Sequence, residues 1–161
     1  MSDNKYAGFW LRFVAYIIDV IVIQIIQSFL IIPILGIIGF GFASQGFDFN
    51  LDRMSDEDAM AFIFAMISAI STLVLIAYAL EILYFSIMEA SKYQGTLGKM
   101  ALGLKVTDMN GQPLDFPKAL LRNLGKIISG MLLLIGYILA GITEKKQALH
   151  DIIAGALVVR K

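Results

Sequence analysis

The sequence of 161 residues contains no cysteine and only one histidine, His150. Without cysteine the chain cannot form a disulfide, an iron–sulfur cluster or a thiolate zinc site. A single histidine also argues against a metal centre that uses several histidines. We therefore expect no metal site and no cofactor.

Charged residues are scarce as well. They make up 16% of the sequence, against roughly a quarter in soluble domains, whereas hydrophobic residues make up 58%. The 13 basic and 13 acidic residues cancel, so no overall field points to nucleic acid as a partner. A chain of this length and composition is expected to form one membrane domain, 1–161, whose main partner is the lipid bilayer.

Two apolar runs are long enough to cross a bilayer, which takes about 20 residues of helix. Within 13–32 the only charged side chain is that of Asp19, and within 62–80 there is none. These runs predict membrane helices at 13–40 and 61–88. The first run follows basic residues, as a secretory signal does, but it exceeds the apolar length of about 7–15 residues that such signals have. We therefore expect it to be an uncleaved membrane segment.

The segments around these helices differ in charge. Segment 41–60 holds five acidic residues against one basic residue, whereas segment 89–126 holds six basic residues against three acidic ones. Short loops rich in Lys and Arg stay on the cytoplasmic side of a membrane. We therefore expect 89–126 and the N-terminal segment 1–12 to be cytoplasmic, 41–60 to be external, and the protein to lie in the cell membrane. Ser55, with Asp58 three residues later, predicts a cap for the second helix.

A third apolar stretch, 127–142, is short for a membrane span. As a straight helix it measures about 24 Å, against about 30 Å for a hydrocarbon core. Basic residues flank it on both sides, which favours the same side of the membrane for both ends. We predict a third helical or re-entrant hydrophobic hairpin that turns near Gly136 and leaves the tail 143–161 in the cytoplasm. The alternative is a single short, tilted span with an external C-terminus.

The cytoplasmic segment also contains strand patterns. The stretch GLKVTDMNGQPLDF predicts two short strands around an Asn110-Gly111 turn. The C-terminal ALVVRK predicts a further strand, which would help to bury the apolar face of the hairpin. We expect 157–160 to pair with 104–107. The predicted fold is an all-α membrane protein with two transmembrane helices, the third hydrophobic segment and a small cytoplasmic β-hairpin element.

Two motifs do not support catalysis. The stretch GTLGKM, residues 95–100, is similar to a phosphate-binding loop, but its spacing differs and no Ser or Thr follows its lysine. We expect Lys99 and Lys105 to meet anionic lipid headgroups instead. His150 and Asp151 are neighbours whose side chains diverge, and no nucleophile accompanies them. We therefore expect no enzymatic activity.

Several stretches together resemble the RDD family of small membrane proteins, which is called after one arginine and two aspartates. The stretches are GFWLRFVAYIID with Arg12 and Asp19, then TLGKMALGLKVTDMNG, ALLRNL, and ALHDIIAGALVV with Asp151. They cover most of the chain in the expected order, although the family pattern does not require the strongly acidic outer loop. The resemblance implies a single RDD-type membrane domain, selects Asp151 as the third signature residue and suggests transport as an activity.

Asp19 is the residue whose position most needs an explanation. A carboxylate at the centre of a bilayer costs on the order of 3 kcal/mol, so Asp19 should face protein or water and be paired, ion-bound or protonated. Arg12 lies on nearly the same helix face, but about 10 Å away along the axis, too far for a direct bond in ideal geometry. The candidate partners are therefore Arg122 and Lys126. Glu81 is a second acid at a similar depth.

Three hypotheses about function stay open, of which the third, an intramembrane enzyme, has no nucleophile, metal set or cofactor motif in the sequence. In the first, the protein is an ion-coupled transporter, a homo-oligomer that moves monovalent cations or protons. Asp19 is then the central acid of a site that also includes Arg12, Asp151, Glu81 and Arg122. In the second, the protein is a non-transporting membrane scaffold or accessory subunit, and the Arg and Asp residues form a structural polar clasp. A water-filled cavity at Asp19 would favour transport, whereas a sealing arginine would favour the clasp.

Overall fold

The computed structural model describes residues 5–44, 54–131 and 135–161. It is mostly helical, with one small sheet. In chain order the elements are α1 (Phe9–Ser44), α2 (Asp56–Ala90), α3 (Leu97–Ala101), β1 (Leu104–Asp108), α4 (Phe116–Met131), α5 (Ile135–Ile142), α6 (Leu149–Ala154) and β2 (Ala156–Arg160). The chain forms two compact units: one combines the chain up to Val22 with Leu80–Lys161, and the other is Ile23–Ala79.

The helices α1 and α2 contain the two apolar runs and are longer than the runs at both ends. They comprise 36 and 35 residues, and both are long and apolar enough to cross a membrane. Pro33 lies inside α1 without ending it. In the unit Ile23–Ala79, the side-chain amide of Gln27 donates to the Ala77 carbonyl at 3.0 Å, which joins the two helices.

The predicted cap of α2 is confirmed. The Ser55 hydroxyl oxygen accepts the backbone N–H of Asp58 at 3.1 Å, and the Ser55 hydroxyl donates to the Asp58 carboxylate at 2.6 Å. This arrangement satisfies one of the free N–H groups at the helix start and places an acid where the helix dipole favours it.

The sheet confirms the predicted pairing of the C-terminal strand. β1 and β2 are antiparallel, with Leu104 opposite Arg160 and Thr107 opposite Leu157. The second strand of the predicted hairpin, however, is reduced to a single bridge between Thr107 and Pro113. Proline has no N–H group, so it cannot extend a ladder of backbone hydrogen bonds. The predicted hairpin is therefore only a turn, and β2 is the true partner of β1.

The third apolar stretch folds as two helices rather than one. α4 ends at Met131 and α5 begins at Ile135, while 132–134 lie outside the described residues. Gly136, the predicted turn, is helical and lies in the first turn of α5. A Cβ atom added at Gly136 would lie 2.7 Å from the Cβ of Ser129, so α4 and α5 are in close contact there.

Candidate functional site

Asp19 is buried, with 1% of its surface exposed, and all of its hydrogen-bond donors are uncharged. The Thr96 hydroxyl donates to one carboxylate oxygen, and the Gly98 backbone N–H donates to the other at 2.7 Å. Thr96 and Gly98 lie at the start of α3, where backbone N–H groups have no partner within the helix. Asp19 of α1 therefore caps α3 from a distant part of the chain.

The contact between α1 and α3 leaves no room for a side chain at position 98. A Cβ atom on Gly98 would lie 2.1 Å from the carbonyl oxygen of Ala15, well inside the distance at which atoms clash. Glycine at this position lets the backbone of α3 reach the Asp19 carboxylate. Tyr84 of α2 completes the site, because its hydroxyl accepts the Leu97 N–H at 3.3 Å and lies 3.5 Å from Asp19.

This geometry corrects the expected partners of Asp19. Neither Arg122 nor Lys126 forms an ion pair with Asp19 in the part of the chain that the structure describes. Lys126 instead places its ammonium group 3.9 Å from the centre of the Phe85 ring. The physical reason is that the N-terminal donors of α3 already satisfy the carboxylate, so it needs no cation.

The second signature aspartate, Asp151 of α6, is fully buried between two arginines. Its Oδ1 accepts Arg122 Nε at 2.7 Å, and its Oδ2 accepts Arg12 Nη1 and the Ala148 backbone N–H. Burial alone would raise the pKa of Asp151, but the charges of Arg122 and Arg12 lower that pKa well below its usual range. Asp151 therefore stays ionised and ties α1 and α4 to the C-terminal segment.

Arg12 does more than pair with Asp151. Its Nε donates to the Ala7 carbonyl at 2.7 Å, and its Nη2 donates to the Lys146 carbonyl. The guanidinium group thus joins the start of α1, the loop before α6 and α6 itself. A lysine could not reproduce this geometry, because its donors share one nitrogen, whereas Arg12 uses all three nitrogens of its planar guanidinium group.

A further ion pair extends this arrangement to α2 and α3. Arg122 Nη1 lies 2.6 Å from Glu89 Oε1, and the Lys99 ammonium group pairs with the same oxygen. Asn123 donates to the other Glu89 oxygen at 3.0 Å. We refer to Arg12, Asp151, Arg122, Glu89 and Lys99 as the buried ion network. Burial alone would lower the pKa of Arg122, but Glu89 and Asp151 raise it above its ordinary value.

Two members of the buried ion network differ from expectation. Lys99 is buried and paired, so the prediction that it meets lipid headgroups is wrong. Glu89 was counted as an acid of the cytoplasmic loop, but α2 extends to Ala90 and carries Glu89 into the core. The sequence signal for Lys99 was its place in TLGKMALGLKV, one of the stretches that carry the family resemblance.

Glu81 lies apart from these contacts. It sits about two turns before Glu89 on α2 and is half-buried. It forms no hydrogen bond and no ion pair with any residue that the structure describes. Within the same described residues, no group of three or more His, Cys, Asp or Glu side chains could hold a metal ion.

His150 is buried beside the buried ion network. Its Nδ1 lies 3.2 Å from the Ser129 hydroxyl, and its ring centre lies 5.2 Å from that of Tyr137. Its Nε2 lies 3.6 Å from Asp151 Oδ1, so the expectation that these two side chains diverge is wrong. Burial lowers the pKa of His150 to about 3. The nearby positive charges of Arg122, Lys126 and Arg12 also lower this pKa, and they oppose the effect of Asp151, which raises it. The imidazole is therefore neutral in the folded protein near pH 7.

This difference in protonation predicts a loss of stability in mild acid. A histidine in the unfolded chain takes up a proton below about pH 6.5, whereas His150 in the folded protein does not until about pH 3. The unfolded state therefore binds more protons in this window, and stability falls as the pH falls. From pH 7 to pH 5 we expect a loss of about 2 kcal/mol, measured as the melting of the protein in detergent. The variant His150→Gln should melt alike at both pH values, and an equal pH effect in both proteins would contradict the assignment.

Comparison with known proteins identifies the family of the chain. The model of the RDD family matches residues 6–155. The uncharacterized protein YxaI of Bacillus subtilis (strain 168) is 37% identical over 158 residues, which cover 98% of this chain and 99% of YxaI. The uncharacterized membrane protein YteJ of the same organism is 31% identical over 163 residues, which cover 100% of this chain and 85% of YteJ. No solved structure matches the chain. Because the family model covers nearly the whole chain, the protein belongs to the RDD family of membrane proteins.

Proposed function

We propose that this RDD protein is a non-enzymatic, non-transporting membrane scaffold or accessory subunit, in which the signature residues form a structural polar clasp. The observation that carries the proposal is the burial of both signature aspartates, with 1% and 0% of their surfaces exposed. All four carboxylate oxygens accept hydrogen bonds from the protein. An ion could reach either carboxylate only by breaking several of these bonds.

The clasp joins the elements that a scaffold must hold together. Asp19 connects α1 to α3, and the buried ion network connects α1, α6, α4, α2 and α3 in sequence. Around it, a small apolar cluster of alanines, leucines and valines joins the sheet to α4 and α6. In this proposal, the clasp fixes a small cytoplasmic module of helices and strands to the inner ends of two membrane helices.

The side chains of helix α4 indicate that the protein contacts lipid through more than its two long helices. The middle of α4 buries polar side chains and exposes apolar ones: Arg122, Asn123 and Ser129 are buried, whereas Leu121, Leu124 and Ile128 are exposed. This pattern is inverted relative to a helix on the surface of a soluble protein. It favours a position of α4 and α5 in the membrane or its interface, as the predicted re-entrant segment requires.

The proposed topology predicts a specific labelling pattern. Because the chain contains no cysteine, a single introduced cysteine is the only site for a thiol reagent. Lys5→Cys, Asn110→Cys and Lys161→Cys should all react from the cytoplasmic side, and Glu57→Cys only from outside. Labelling with a membrane-impermeant maleimide in intact cells, before and after lysis, measures this. Reaction of Lys161→Cys in intact cells would replace the re-entrant segment with a third span.

Ion or proton transport is the second candidate, and Glu81 favours it. A half-buried carboxylate on a membrane helix, without an ion pair among the described residues, would have to be protonated or bind an ion. In that case Glu81, rather than Asp19, is the titrating acid, and the active form is a homo-oligomer that moves monovalent cations or protons.

Flux through the purified protein in liposomes separates the two candidates. The scaffold proposal predicts that liposomes with the protein and liposomes without it show the same flux of protons and of each monovalent cation. Flux that requires the native protein and disappears in Glu81→Gln would overturn the scaffold and establish transport. Ser55→Ala is the matched control for reconstitution, because it changes an exposed helix cap and no buried acid.

A further inference from the structure

The middle of α1 contains three polar side chains close together in the sequence, Gln24, Gln27 and Ser28, all within the unit Ile23–Ala79. Two of them have partners. Gln27 donates to the Ala77 carbonyl of α2 at 3.0 Å, and the Ser28 hydroxyl donates to a carbonyl of its own helix at 2.7 Å. Gln24 differs from both. It is exposed, and its side chain forms no hydrogen bond within the described parts of the chain, 5–44, 54–131 and 135–161.

The depth of Gln24 makes a missing partner unfavourable. The residue lies about 16 Å along the helix from position 13, where the apolar run begins. A hydrocarbon core is about 30 Å thick, so a straight α1 places Gln24 near its centre. Lipid tails offer no hydrogen bond at this depth, and the side chain of glutamine is too short to reach either boundary. An unpaired amide there has lost its bonds to water without replacement.

The surface of α1 around Gln24 is not covered by the described part of the chain. The next two residues, Ile25 and Ile26, each expose more than half of their surfaces. Isoleucine side chains are stable against lipid, whereas the amide of Gln24 is not. This side of α1 therefore favours a polar partner from another molecule within the membrane.

We propose that Gln24 lies in the contact surface between two copies of this protein in the membrane. A side-chain amide both donates and accepts hydrogen bonds. Two Gln24 side chains that face each other across a two-fold axis therefore form two hydrogen bonds, from Nε2 of each to Oε1 of the other. Such bonds between membrane helices stabilise their association. The proposal goes beyond the scaffold function and applies equally to a transporter, because it requires only that α1 crosses the bilayer.

Association of the full-length protein in liposomes tests the proposal. Because the chain contains no cysteine, Lys161→Cys provides a single site for a donor or an acceptor dye. Energy transfer between labelled copies is measured as the protein-to-lipid ratio is lowered. We expect a dimer, and we expect Gln24→Met, which keeps the length of the side chain without its amide, to weaken the dimer about tenfold. This is the effect expected for the loss of two hydrogen bonds between helices.

Two results of this measurement would overturn the proposal. A native protein that stays monomeric at every ratio would mean that Gln24 meets water or a different membrane protein. Equal association of the native protein and Gln24→Met would mean that the copies meet through another surface. Gln24→Leu takes the place of Gln24→Met if the melting temperature in detergent shows that the latter does not fold.

Ser28→Ala is the matched control. Ser28 lies one turn after Gln24 on the same face of α1, but its hydroxyl is already bonded within the helix. Removing this hydroxyl should leave the dimer unchanged. An equal weakening by Ser28→Ala and Gln24→Met would mean that the amide has no special role and would overturn its assignment.

Disulfide formation tests which face of α1 lies in the contact. Ser28 shares the face of Gln24, whereas Ile26 lies on the opposite face at nearly the same depth. In oxidised liposomes at a low protein-to-lipid ratio, Ser28→Cys should form a linked dimer and Ile26→Cys should not. Adding Gln24→Met to Ser28→Cys should lower the yield severalfold. Equal yields at the two cysteine positions would mean that the copies only collide at random and would overturn the proposed surface.

Discussion

Replacing Asp151 by asparagine should destabilise the protein by about 3–5 kcal/mol, the range measured when one side of a buried ion pair is removed. The substitution leaves the shape of the side chain nearly unchanged but removes the charge that Arg12 and Arg122 share. Both guanidinium groups are then buried with less compensating charge. The melting temperature of the purified protein in detergent, followed by size-exclusion chromatography after heating, measures the loss.

The matched control is the same substitution at an exposed ion pair. Asp115 lies 3.7 Å from Lys118, and its side chain is 57% exposed. Exposed pairs typically contribute between about 0 and 1 kcal/mol, so Asp115→Asn should melt close to the native protein. An equally small effect of Asp151→Asn would mean that Asp151 does not hold the C-terminal segment in place.

Gly98→Ala should destabilise the protein by about 3 kcal/mol or more, because its added Cβ atom meets the closest contact found at any of the described glycines. The new Cβ atom would lie 2.1 Å from the Ala15 carbonyl oxygen and 3.0 Å from the Asp19 Cγ. Because the nearest atom belongs to the backbone of α1, no side-chain rotation can relieve the clash. α3 must move away from α1, which also breaks the bond between Gly98 N–H and Asp19.

Gly130→Ala is the control for this prediction. Gly130 also lies in a helix, α4, but a Cβ atom there would meet nothing within 4 Å. Alanine is favoured over glycine in a helix by roughly 0.5–1 kcal/mol, so this variant should be as stable as the native protein or slightly more stable. The comparison uses the yield of monodisperse protein and its melting temperature. If Gly98→Ala behaved like Gly130→Ala, the close approach of α3 to α1 would be wrong.

The features of the fold that depend on local sequence could be predicted. The two apolar runs predicted the presence of α1 and α2, and the capping pattern at Ser55 predicted where α2 begins. The pairing of the C-terminal strand followed from its strand-like composition. It also followed because a lone two-stranded hairpin is only marginally stable and a further strand helps to bury its apolar face. The two helix inferences use residues that are close together in the sequence, whereas the strand pairing combines two local strand patterns that lie far apart in it.

The partners of the buried charges could not be predicted in the same way. Arg122 carries a charge that could pair with the buried Asp19 carboxylate. The sequence does not show, however, that two uncharged donors at the start of α3 bind that carboxylate instead. Glu89 was placed in the loop because the predicted helix ends at residue 88, whereas α2 continues to Ala90. A helix can extend beyond its apolar stretch when its polar end residues find buried partners, as Glu89 does.

The two signature aspartates therefore differ in physical role. Asp19 is held by uncharged donors, so its removal would leave no cation unpaired, whereas Asp151 neutralises two arginines. A paired substitution that restores charge balance is informative only for an aspartate that neutralises a cation, as Asp151 does. The paired substitution therefore belongs at Asp151 and Arg12.

The measurement that tests the clasp most directly is a double-mutant cycle between Arg12 and Asp151. It compares the free energies of unfolding of the native protein, Arg12→Gln, Asp151→Asn and the double variant in one detergent. If the pair holds α1 to the C-terminal segment, the double variant should be more stable than the sum of the single losses implies, by about 2 kcal/mol. Single losses that add to within about 0.5 kcal/mol would show that the two residues do not interact and would contradict the clasp.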